Sequence, residues 1–66
     1  MSAKTQEFKK YVHHVGGIPE AAQRLGFQPR MVYAMLAGTK TITPKTADLA
    51  ERDSNGAVSR VTLVFG

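Results

Sequence analysis

Residues 20–36 read EAAQRLGFQPRMVYAML, two short apolar patterns hinged at one glycine. Ala21, Ala22 and Leu25 make the inner side of a short helix over residues 19–25. Val32, Met35 and Leu36, at i, i+3 and i+4, make a buried stripe on a helix over residues 29–37. Each begins with a proline, which suits a first turn whose N–H would have no partner. Each ends at a glycine, Gly26 and then Gly38. Two helices crossing steeply need a small side chain where they approach, and Ala22 supplies it. The turn needs a residue at ease with positive φ, and Gly26 supplies it. The second helix needs a branched apolar anchor, and Val32 follows the glycine at the right distance. The expected unit is a helix-turn-helix over about residues 19–37, its inner face completed by Leu25 and Met35.

Outward from this hinge the chain remains mostly helical. Phe8, Tyr11, Val12 and Val15 form one stripe, which predicts a first helix over residues 5–15 with Thr5 as its N-cap and Gly16-Gly17 as its end. Gln28 falls at the N-cap of the third helix, a position glutamine fills poorly. TKTIT (residues 39–43) reads as a polar loop. Thr43-Pro44 is a strong helix start, with Ala47 and either Ala50 or Leu49 facing inward, and DSNG (53–56) ends that helix. AVSRVTLVFG (57–66) is ambiguous. Its β-branched residues alternate, and Asn55-Gly56 is the strongest hairpin-turn dipeptide. Yet TADLAERD before it is a poor strand, and Ser59 can cap a short last helix. The expected fold is one small all-α helix-turn-helix domain of four to five short helices, with residues 44–66 covering the core and dimerising. The alternative is α+β with a C-terminal β-hairpin.

A chain of 66 residues, 42% of them hydrophobic, supports one small core of marginal stability. It has no cysteine, which excludes disulfides and thiolate zinc and leaves self-association as the means of reinforcement. The N-terminal MSAKTQEFKKYVHH lacks the apolar run of a signal peptide, and no window approaches the roughly 18 apolar residues that span a bilayer. A soluble, intracellular protein is expected.

Nine Lys and Arg against five Asp and Glu give a net charge of +4, which favours a polyanionic partner. The cations are scattered, so a basic face has to be assembled by folding. Catalysis has little support, and no enzyme is expected. No serine or acid stands in a nucleophile–base arrangement, and no glycine-rich phosphate loop precedes a helix. His13 and His14 point about 100° apart on a helix and have no third ligand nearby in sequence. No metal, cofactor or small molecule is implied. Glu20 reads as a charge matched to a helix N-terminus. Short helices, a leading amphipathic helix, basic balance and small size together favour a DNA-binding motif over an ordinary helical hairpin.

FKKYVHHVGGIPEAAQRLGFQPRMVYAMLAG (residues 8–38), about half of the chain, resembles the Cro repressors of temperate bacteriophages and their prophage relatives. The likeness is carried by Tyr11, Gly16, Ala21-Ala22, Leu25-Gly26, Val32-Tyr33, Leu36 and Ala37-Gly38. ITPKTADLAERDSNGAVSRVTL (42–63) is similar, more loosely, to the wholly helical members. The chain is also similar to Cro-like antitoxin-type regulators. The resemblance implies that residues 29–37 lie in the major groove of double-stranded operator DNA. Gln28, Arg30, Met31, Tyr33 and Ala34 would then face base edges, with Arg30 suited to guanine O6 and N7. Pro19 and Glu20, at the start of the preceding helix, and Arg24, Thr39, Lys40, Thr41 and Lys45 would meet phosphates. Proline and methionine stand where much of the family has polar residues, which leaves fewer hydrogen-bonding readers.

Val58, Val61, Leu63, Val64 and Phe65 are too apolar for a loose tail. One side is expected to cover the core and the other to form a homodimer, since one small reading module binds weakly unless doubled. The leading expectation is a sequence-specific, dimeric transcriptional repressor of phage or prophage type. The alternatives are an antitoxin-like regulator that binds a partner protein and a non-specific DNA-binding protein.

Overall fold

The computed structural model describes residues 2–66. Among them it has α1 (Ala3–Val15), α2 (Ile18–Leu25), α3 (Pro29–Ala37), α4 (Pro44–Asp53) and α5 (Arg60–Phe65), and no strand. Local chemistry sets these boundaries. The hydroxyls of Ser2, Thr43 and Ser59 accept from the N–H groups of Thr5, Thr46 and Thr62, capping α1, α4 and α5. Prolines open the first turns of α2, α3 and α4. Gly16, Gly26 and Gly38 close α1, α2 and α3 in the left-handed conformation.

α1 packs against α2, α3 and α5, α4 against α5, and α2 against both α3 and α4. Between them lies one core. α1 contributes Phe8, Tyr11 and Val12, and the helix-turn-helix contributes Ala21, Ala22, Leu25, Val32 and Met35. Ala47 and Ala50 come from α4, and Ile42, Val58 and Leu63 come from the loops and α5. Phe8 and Tyr11 stack with ring centroids 6.0 Å apart. The Tyr11 hydroxyl donates to Asp53 Oδ2 at 2.9 Å, and the Arg24 guanidinium binds Asp53 Oδ1 at 2.8 Å. One carboxylate thus ties α1, α2 and α4 together. Burial, reinforced by the Asp53 carboxylate, pushes the Tyr11 phenol well above its ordinary value of 10.0.

The N-terminus of α5 is held by carboxylates from two other helices. Glu7 Oε2 on α1 accepts from the Ser59 N–H at 2.7 Å, and Glu51 Oε2 on α4 accepts from the Arg60 N–H at 3.1 Å. The Glu7 side chain is only 12% exposed, and its other oxygen pairs with Lys10 at 2.8 Å. Lys10, and then the Ser59 N–H, outweigh burial and hold the Glu7 carboxyl below its ordinary 4.5.

Several expectations are corrected. α1 begins at Ala3, because Ser2 takes the capping role assigned to Thr5. α2 includes Ile18. Ala50 is buried on α4, whereas Leu49 is 42% exposed. The C-terminal segment is the short helix α5, which agrees with the all-α expectation of four to five helices and sets aside only the β-hairpin alternative. The positive φ of Asn55 and Gly56 ends α4 in a tight turn instead of reversing a strand. Val58 and Leu63, expected in a dimer interface, are fully covered by their own chain. No helix among the described residues is long and apolar enough to cross a membrane.

Candidate nucleic-acid interface

The hinge takes the form its residues dictate. Gly26 sits at φ 75°, and a Cβ there would meet no neighbouring atom, so glycine is required by the backbone angle alone. The Gly26 N–H donates to the Gln23 carbonyl and the Phe27 N–H to the Ala22 carbonyl at 2.8 Å, the paired closure that lets a helix stop within one residue. Phe27 then turns its ring onto the core. Gln28 enters α3 in extended conformation without a side-chain cap, and its carbonyl accepts from the Met31 N–H at 2.9 Å.

With Val32 and Met35 buried, the opposite face of α3 is open. Gln28, Pro29, Arg30, Tyr33 and Ala37 are exposed, and Ala34 is half-buried among them. Arg30, Tyr33, Ala34 and Ala37 stand at i, i+3, i+4 and i+7, so they share one side of the helix. Ala37 and Pro29 belong to this face although neither was assigned to it. The 3.6-residue spacing counted from Arg30 already contained Ala37. Tyr33 is 60% exposed.

Met31 is less open than the exposed residues of this face. It is half-buried and packs against the core beside Phe27. Together with Gly26, Gln28, Arg30, Ala34 and Lys40 these two line an open hollow of about 440 Å³ at the start of α3. Phe27 was missed in sequence. Its signal was the apolar residue directly after a helix-closing glycine, which commonly packs back on the helix it follows. Lys40, distant in sequence, shares the hollow with Arg30. The neighbouring Thr39 is occupied otherwise. Its N–H and its hydroxyl both donate to the Ala34 carbonyl, at 3.0 and 3.2 Å, finishing α3. Thr41 is exposed beside Lys40.

Pro19 and Glu20 are exposed at the far end of α2 from Gly26, beyond Gly17 at φ 125°. Proline has no N–H, and the N–H groups of Ile18 and Glu20 have no acceptor among the described residues. Donors at a helix N-terminus favour an anion, which the Glu20 carboxylate opposes. Arg24 is exposed, and one nitrogen of its guanidinium pairs with Asp53. Lys45 is exposed in the first turn of α4.

Ion pairing sorts the cations by location. Lys10 pairs with Glu7, Arg24 with Asp53, Arg52 with Asp48, and Arg60 with Asp48 and Glu51. Among the described residues, Lys4, Lys9, Arg30, Lys40 and Lys45 have no acidic partner. Arg30 and Lys40, which flank the hollow, are therefore free for an outside anion. The acids of α4 are spent on neighbouring arginines, so the charge surplus lies elsewhere. At the C-terminus, Val61 and Phe65 are 59% and 81% exposed on one side of α5, and Val64 is half-buried.

No protein-family model, curated protein or solved structure matches the chain.

Proposed function

We propose that the chain is a sequence-specific DNA-binding transcriptional repressor of Cro-like phage or prophage type. It binds two-fold-symmetric operators as a homodimer and acts by occluding the polymerase. One observation carries this reading. The exposed face of α3, led by a Gly26 hinge, holds Arg30, Lys40 beyond the end of α3 lines the same hollow, and neither has an acidic partner among the described residues. An α-helix fits the major groove, and the N-terminal part of such a helix meets base edges. Arg30 reads a base pair, Gln28 and Tyr33 lie beside it, and Lys40 with Thr41 and Lys45 meets flanking phosphates. Val61, Val64 and Phe65 are the residues left to join two copies.

The test is selection from a random duplex library, with the winners titrated at two salt concentrations. A two-fold-symmetric consensus, preferred over random DNA at both salts, is the expected result. Affinity that ignores sequence and collapses with salt would instead mark a non-specific binder. The exposed pair Val61 and Phe65 also favours a second reading, an antitoxin-like regulator whose α5 docks a partner protein. A defined partner that co-purifies with the wild type and is lost on Phe65→Ser would favour that reading.

A further inference from the structure

The hollow at the start of α3 has an unusual lining for a surface that faces DNA. Phe27, Met31 and Ala34 supply its apolar lining, and Gln28, Arg30 and Lys40 its polar side chains. Phe27 and Met31 also pack against the core.

We propose that this hollow reads the C5-methyl group of a pyrimidine in the major groove, thymine and 5-methylcytosine alike, next to the base pair that faces Arg30. The inference rests on the DNA-binding reading above and names the chemistry its apolar positions recognise. The C5-methyl is the apolar feature of the major-groove edge. Thymine and cytosine otherwise differ there by an acceptor at C4 against a donor. A lining of Phe27, Met31 and Ala34 offers neither partner, so it responds to the methyl and not to the rest of the base. Met31 suits this task because an unbranched thioether adjusts to the shape of what it meets. The polar side chains fix the register, with the Arg30 fork on the adjacent pair and Lys40 towards the backbone. Pro29 and Met31, which subtract hydrogen-bonding readers, thereby mark a site that recognises DNA by apolar contact. The binding of this protein then depends on cytosine methylation wherever that position holds a cytosine.

Burying one methyl group corresponds to roughly fourfold in affinity, and to roughly fifteenfold when both half-sites of a dimer contribute. The experiment starts from the consensus duplex obtained by selection. Each thymine is replaced in turn by uracil, and at the position that responds cytosine is compared with 5-methylcytosine, all at one salt concentration. Expected are a roughly fourfold loss for uracil at one position per half-site and an equal ratio between 5-methylcytosine and cytosine there. Ala34→Ser and Met31→Ala, each checked by thermal melting, should reduce that methyl preference and leave the guanine preference of Arg30 in place. Ala34→Ser serves should Met31→Ala fail to fold. A defined consensus that tolerates uracil everywhere would overturn the inference and leave the operator reading standing. So would a methyl preference that survives in every variant that folds. Absence of any consensus would remove the operator reading and this inference with it.

Discussion

Arg30 owes its importance to what does not touch it. Every arginine but this one is held by an aspartate or glutamate, while its own guanidinium faces outward with no acidic partner. Arg30→Ala is expected to cost about 1–3 kcal/mol of binding at one base position per half-site and to relax specificity there. Binding-site selection with the variant checks this, and an equal loss on all sequences would make Arg30 a phosphate contact. Lys40→Ala should weaken all sequences alike and lower the dependence of log affinity on log salt by about one unit. An unchanged slope would take Lys40 out of the interface. At this scale the sequence was only partly informative. The spacing of Val32 and Met35 fixed which side of α3 faces out, so Arg30 and Tyr33 were legible. The Arg24–Asp53 pair was not, because it joins residues far apart in the chain. The half-burial of Met31 was not legible either, because its helical angle lies at the border of the buried stripe.

Among the elements, capping and packing explain what could be foreseen. Prolines, glycines and threonine caps act within a few residues, so α3 and α4 fell where the local pattern put them. α5 was ambiguous because what stabilises it comes from elsewhere, the Glu7 and Glu51 carboxylates on its first N–H groups. A six-residue segment rich in β-branched side chains has little helical preference of its own. Glu7 gives this docking a pH dependence. Its folded pKa lies below the unfolded value, so its stabilisation is complete above about pH 4.5 and is lost as pH falls through the folded value. Glu7→Gln should lower stability by about 1 kcal/mol at pH 7 and flatten the decline of melting temperature on acidification. Parallel acid limbs for the two proteins would contradict this role. Tyr11 works in the opposite direction. Its raised pKa stabilises the fold below the ordinary phenol value, and that contribution disappears as pH rises through the folded one. For the hinge, Gly26→Ala is expected to cost about 1–2 kcal/mol in chemical denaturation, because the φ of 75° is the whole penalty.

The whole molecule is small, with a Cα radius of gyration of 10.0 Å and one core. At this size a few exposed apolar side chains form a noticeable part of the surface. Phe65 contributes almost nothing to the core, so Phe65→Ser should leave the melting temperature of a dilute sample nearly unchanged. In the dimeric reading it shifts sedimentation towards the monomer and weakens operator binding. Retention of dimer by Phe65→Ser would move the interface away from α5. The all-helical class was legible from the apolar periods and breakers together. The division of the C-terminal segment into core-facing Val58 and Leu63 and outward Val61 and Phe65 was not, since alternation and helical spacing assign these residues to different sides.

The open side of α3 bears on how such a chain diverges. Arg30, Tyr33 and Ala37 are fastened to the domain only through the backbone they ride on, and the framework of Ala22, Gly26, Val32 and Met35 takes no account of them. Replacements at those positions leave folding nearly untouched. Under the DNA-binding reading proposed above, descendants of one ancestor can therefore acquire new DNA preferences in a few steps on a constant scaffold, and a laboratory library confined to the same positions would sample altered targets without sampling unfolded proteins.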